Sequence, residues 1–206
     1  MSKLSMNPWA TMWKSPRQTV RYLVENKVAH GFYTLSFICG LPLSFQIVEL
    51  STLGAAMSFG GAVLVTLLLA PIFGAAWLSI LSALILWTGK LLKGKGSFST
   101  IRCATAWSHI VTLFSLIGTV LLLVAFKGLA FTNGIGGATL SAFESVILFV
   151  TVLLPCIALV WGVVLMLNSI AEVQKYSLWK ALVNCILAGV VFLVAVQLVF
   201  GLLGLV

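Results

Sequence analysis

Residues 89–100 read GKLLKGKGSFST, and the setting of this stretch decides how the rest of the chain folds. Gly89, Gly94 and Lys95 fall in register with the phosphate-loop pattern G-x-x-x-x-G-K-[ST]. The pattern then fails, because Gly96 stands where a hydroxyl must reach magnesium. The context fails as well. A phosphate loop follows a buried strand and opens a helix, whereas this one follows a long apolar run. The stretch reads instead as a basic turn at a membrane exit, with lysines placed to meet anionic headgroups.

Composition supports that setting. Of the 206 residues, 61% are hydrophobic and only 8% charged, with mean hydropathy +1.18. A soluble domain carries about 25% charged residues, so the solvent here is lipid. The expectation is an all-α integral membrane protein, a five-helix transmembrane bundle. Apolar stretches of about 20 residues can cross a bilayer; they lie near 28–48, 58–89, 104–126, 141–167 and 178–205. They make a transmembrane domain over 28–206, preceded by interfacial helices in 1–27. The stretch 58–89 is long, reaching about 48 Å as a helix against a hydrocarbon core of about 30 Å. It is either one helix kinked near Pro71 and Gly74, or a span with a re-entrant turn at LAPIFGAA, residues 69–76.

Charge settles the number of crossings. Lys3, Lys14, Arg17, Arg21 and Lys27 precede the first span; Lys90, Lys93, Lys95 and Arg102 follow the second; Lys175 and Lys180 lie between the last two. Only Lys127 lies elsewhere. Lys/Arg excess marks the cytoplasmic side, so an even number of crossings separates the first two groups and 58–89 crosses once. Five spans then place the N-terminus in the cytoplasm and Val206 outside.

The N-terminus lacks the apolar core and small-residue site of a cleavable signal. It reads as short amphipathic helices at the interface. Asn7 caps one, with Pro8 at its first position; Ser15 caps the next, with Pro16 following and Gln18 completing a capping box. Trp9 and Trp13 share a face beside Met12, and Val20, Leu23 and Val24 make an apolar edge opposite Arg17 and Arg21. Such helices suit the headgroup layer.

Chemistry-bearing constellations are sparse. His109 lies well inside a span and is a candidate by default. No carboxylate matches its depth: Glu49 and Glu144 are expected near the outer surface, and Glu172 in a loop. Two histidines, His30 and His109, and four scattered cysteines do not make a metal site. Cys39, Cys156 and Cys185 are expected to pack as small apolar residues, and Cys103 to sit near the cytoplasmic interface, where acylation is a weak option. The glycine cluster 133–138 reads as an outer loop. Ala70 and Gly74 form a small-xxx-small pair, and Gly54, Ala55, Gly60 and Gly61 crowd the start of the second span. Gln46, Asn168, Asn184 and Gln197 are placed to hydrogen-bond between helices, and Pro155 to bend the fourth span or mark a packing site. No catalytic residue, cofactor, metal or nucleic-acid partner is expected.

Three segments, NPWATMWKSPRQTVRYLV (7–24), GKGSFSTIRCATAW (94–107) and AEVQKYSLWKALVN (171–184), together resemble the Yip-domain family in its bacterial form. That family was named for partners of Ypt/Rab GTPases. The resemblance covers nearly the whole chain and implies a compact five-helix membrane domain in a bacterial inner membrane. Eukaryotic members act in traffic between endoplasmic reticulum and Golgi. Their long cytoplasmic region and DLYGP-like segment are missing here, so Rab binding does not carry over. The resemblance supplies no catalytic residue.

The function expected is therefore non-enzymatic. Trp9, Trp13, Arg17 and Arg21 would seat the N-terminal helices on the inner leaflet. Lys90, Lys93, Lys95 and Arg102 would form a second basic contact, and Lys175 with Trp179 would close the same face against anionic lipid or an acidic protein partner. The competing class is a small transporter, channel or lipid carrier, with a polar path through His109, Gln46, Asn184 and Gln197.

Overall fold

The computed structural model describes residues 7–132, 135 and 139–202, which form helices and turns with no strand among them. Lys3, the glycines of the 133–138 cluster and Val206 lie outside the described residues. In chain order the helices are α1 (Pro8–Thr11), α2 (Pro16–Asn26), α3 (Phe32–Leu50), α4 (Thr52–Ala56), α5 (Phe59–Leu91), α6 (Phe98–Ser108), α7 (Thr112–Phe126), α8 (Ala142–Gln174) and α9 (Leu178–Leu202). The three residues His109–Val111 between α6 and α7 tighten into a 3-10 turn. Among the described residues, five segments are long and apolar enough to cross a membrane: α3, α5, Phe98–Phe131, α8 and Leu178–Val199.

Several boundaries differ from the expectation, each for a local reason. The long second stretch is one uninterrupted helix of 33 residues with Pro71 inside it. Hydrocarbon offers no water to an unwound backbone, so the helix continues through the proline. The third segment begins six residues early, at Phe98, because Ser97 and Thr100 cap it reciprocally: Ser97 N–H donates to Thr100 Oγ1 at 3.0 Å, and Thr100 N–H to Ser97 Oγ at 3.4 Å. The expected loop between the fourth and fifth spans, residues 168–177, is mostly the last two turns of α8, so Glu172 is helical. The capping box at Ser15 does not form. Thr19 instead bonds the Ser15 carbonyl at 3.0 Å and Thr11 Oγ1 at 2.9 Å, tying α2 to the preceding turn.

The chain folds into two compact units. One comprises residues 31–77 and 109–163. Here Ser36, Gly40 and Ser44 step up α3 while Gly74, Ala70 and Thr66 step down α5, so these helices run antiparallel. A Cβ on Gly40 would overlap the Ala70 carbonyl, and one on Gly74 would overlap the Ser36 carbonyl. Ser44 Oγ donates to the Thr66 carbonyl at 2.9 Å. Small residues allow this approach, and close packing with hydrogen bonds is what holds helices together in lipid. The seam continues into a core of Val48, Ala62, Phe126, Ile147 and the ring pair Phe45–Phe131, whose centroids are 5.0 Å apart.

The other unit comprises residues 1–30, 78–108 and 164–206. Its centre is the fully buried Trp107. The Trp107 indole N–H donates to the His30 carbonyl at 3.0 Å, and its ring meets Trp9 edge-on at 5.1 Å. Thr19, Val20 and Leu23 of α2 are fully buried, as are Ile101 and Ala104 of α6, the helix against which α2 packs. The apolar edge of α2 is therefore covered by protein.

Candidate functional site

Two helix ends build the site, both in the unit centred on Trp107. Helix α5 ends in a Schellman cap: Lys93 takes the left-handed conformation (φ 62°), Gly94 N–H reaches the Gly89 carbonyl at 2.8 Å, and Lys93 N–H the Lys90 carbonyl at 3.0 Å. Helix α8 ends in the same way, with Lys175 left-handed (φ 59°) and Tyr176 N–H on the Ala171 carbonyl at 2.8 Å. Lysine rather than glycine holds both positions.

The two ends are fastened to each other. Tyr176 donates its hydroxyl to the Gly89 carbonyl at 2.6 Å. Gln174 is 1% exposed; its side-chain oxygen accepts Gly96 N–H at 3.0 Å, and its backbone carbonyl accepts Lys95 N–H at 3.3 Å. A Cβ at Gly89 would overlap the Gln174 amide, and one at Gly94 would overlap the same side chain. Thus the glycines that imitate a phosphate loop are there to admit Gln174 and Tyr176. Immediately before Gly89, Thr88 donates to Asn184 Oδ1 at 2.6 Å, joining α5 to α9.

A matched ladder joins α2 to α8. Arg17 Nε donates to Asn168 Oδ1 at 3.0 Å. One turn on, Arg21 grips Glu172 with two parallel bonds, Nε to Oε1 at 2.9 Å and Nη2 to Oε2 at 3.0 Å. Lys175 Nζ adds a third at 3.0 Å. The hydrogen bond and charge of Glu172 raise the Arg21 guanidinium further above its ordinary value, and burial pushes the Tyr176 phenol up. Beside the ladder lies a pocket of about 170 Å³ lined by Arg21, Glu25, Lys95, Ser97, Thr100 and Lys175, among others.

The structure sorts the residues singled out from sequence. Arg17, Arg21 and Lys175 are committed to α8, and Trp9 to Trp107. Trp13 is half-buried, and Arg102 lies over the Phe98 ring, 5.6 Å from its centroid. Lys90, Lys93 and Lys95 are exposed, and no side-chain partner engages them among the described residues. Trp179 is 78% exposed. Gln174 and Tyr176 organise the face, although neither stands out in the sequence as a structural residue. The signal available was a polar glutamine and tyrosine flanking the turn between two spans.

The intramembrane candidates divide between the two units. Asn184 is buried on Thr88, and Gln197 is exposed on α9. In the other unit, Gln46 and His109 line one pocket, and the Cys39 thiol lies 4.0 Å from the His109 carbonyl that accepts from it. Cys103 is 4% exposed, which removes the acylation option, and Cys156 is exposed rather than packed.

The family model of the Yip1 domain matches residues 9–199. No curated protein and no solved structure matches the chain. The match spans both compact units and all five membrane-crossing segments, and the protein belongs to the Yip1-domain family of multi-pass membrane proteins.

Proposed function

We propose that this protein is a non-enzymatic membrane organiser that holds anionic lipid through a basic face turned to the cytoplasm of a bacterial inner membrane. One observation carries the reading. Every described Lys and Arg except Lys127 falls in a single compact unit, and within it Lys90, Lys93 and Lys95 remain exposed and unpaired among the described residues. Lysines near an anionic surface contribute about 1 kcal/mol each. The arginines act differently. They fasten α2 to α8 and so brace the lysine-bearing turn. The bacterial setting rests on the resemblance of the three basic segments, and the orientation on their excess of positive charge.

The test is to extract the protein with its native lipids and identify what stays bound. Retained lipid enriched in anionic headgroups relative to the source membrane supports the reading. A tightly held neutral solute, or a retained lipid mixture matching the membrane average, counts against it.

A further inference from the structure

The unit containing α3 and α7 carries a polar groove that the basic face does not explain. One pocket of about 280 Å³ includes Pro42, Gln46, Glu49, Ser115, Thr119 and Thr151 in its lining. A second, of about 210 Å³, shares Pro42, Gln46 and Ser115 and extends to Cys39, His109 and Thr112. From Glu49, at the end of a span, to Cys39 the groove follows α3 for about 15 Å. It therefore enters from the aqueous boundary and reaches about half the hydrocarbon depth.

Three of its side chains are uncommitted: Gln46, Glu49 and Ser115, whose hydroxyl lines both pockets. Gln46 is exposed within a span, and Glu49 lies one turn away; none of the three side chains has a hydrogen-bond partner among the described residues. The other carboxylate of this unit and two of the lining threonines are spoken for. Glu144 caps α8, accepting from Ser141 N–H at 2.8 Å and its hydroxyl at 2.7 Å. Thr119 and Thr151 donate to backbone carbonyls of their own helices at 3.1 and 2.9 Å. A carboxyl at the boundary and an open amide one turn deeper suit an occupant with a polar head.

The chemistry of the lining says which kind. The groove holds one carboxylate, an amide and several hydroxyl oxygens, with the Cys39 thiol and the His109 imidazole at its inner end, and no lysine or arginine lines it among the described residues. Phe45 and Leu122 wall the outer part, and Leu43 and Trp77 the inner part. We infer that this groove binds an amphiphile with an ammonium head, its charge against Glu49 and Gln46 and its alkyl chain along the apolar walls. The site is independent of the basic face, and one can fail without the other.

The test uses the full chain in phosphatidylglycerol nanodiscs, which offer no competing amine headgroup, with the four native cysteines replaced by Ala or Ser. Gln46→Cys reports from α3 and Ser115→Cys from α7. Ile47→Cys, at an exposed neighbouring position outside the groove lining, is the control. The probe is a cationic methanethiosulfonate reagent. Both groove thiols are expected to react several-fold faster than the control. Dodecylamine should slow them, dodecanol should not, and Glu49→Gln should remove the amine's protection. Reaction no faster than the control at whichever reporters give monodisperse protein overturns the groove. Equal protection by dodecanol, or protection that survives Glu49→Gln, overturns the ammonium assignment.

Discussion

The hydroxyl of Tyr176 donates to the carbonyl of Gly89 at 2.6 Å, while the backbone N–H of the same tyrosine closes the end of α8 on Ala171. One residue thus seals the ends of two membrane helices. Removing the hydroxyl as Tyr176→Phe deprives α5 of one cap, a loss of about 1 kcal/mol for a typical intramolecular hydrogen bond. The expected outcome is a modest drop in the melting temperature of the detergent-solubilised protein. Gly89→Ala should cost more, about 1–3 kcal/mol for overpacking, because its Cβ meets the Gln174 amide.

The α3–α5 seam makes a second, sharper prediction. Gly74→Val should abolish a monodisperse peak in size-exclusion chromatography, since the new side chain collides with the Ser36 backbone. Gly60→Ala is the matched control. Nothing lies within 4 Å of a Cβ at Gly60, so that variant should behave as wild type.

Arg21 and Glu172 form a bidentate pair whose carboxylate is buried. Glu172 accepts two hydrogen bonds from Arg21 and one from Lys175. Arg21→Gln should therefore lower the melting temperature more than Lys175→Gln. The double variant Arg21→Gln with Glu172→Gln should be less damaged than the sum of the two single changes, because the buried carboxylate that Arg21 offsets is gone as well. Additive losses would show that the pair is not coupled.

Much of this architecture was legible from residue types. Hydropathy located the five segments able to cross a membrane, and of the two readings of the long second stretch the single helix is the one that forms. Ala70 and Gly74 announced a close helix contact. Their partners Ser36 and Gly40 were not evident, because a serine and a glycine in the least hydrophobic span look like weak membrane signal rather than a packing seam. The start of α6 at Phe98 was hidden because its polar first turn, SFST, carries no apolar pattern. The role of Arg21 was obscured for a related reason. An amphipathic helix has the same periodicity whether its apolar side meets lipid or protein, and only the tertiary structure shows Val20 and Leu23 covered by protein. The arginines bound to α8 and the exposed lysines are likewise indistinguishable as charges in a row of letters.

That distinction is also what the proposed function depends on. The most direct test measures the lipid shell around the reconstituted protein by electron spin resonance, comparing spin-labelled phosphatidylglycerol with spin-labelled phosphatidylcholine. The wild-type protein should immobilise the anionic label preferentially, and the preference should weaken as salt shortens the screening length to about 10 Å at 0.1 M. Replacing Lys90, Lys93 and Lys95 with Gln should remove most of that preference while leaving the melting temperature unchanged. An undiminished preference for phosphatidylglycerol in the triple variant would contradict the role assigned to the basic turn.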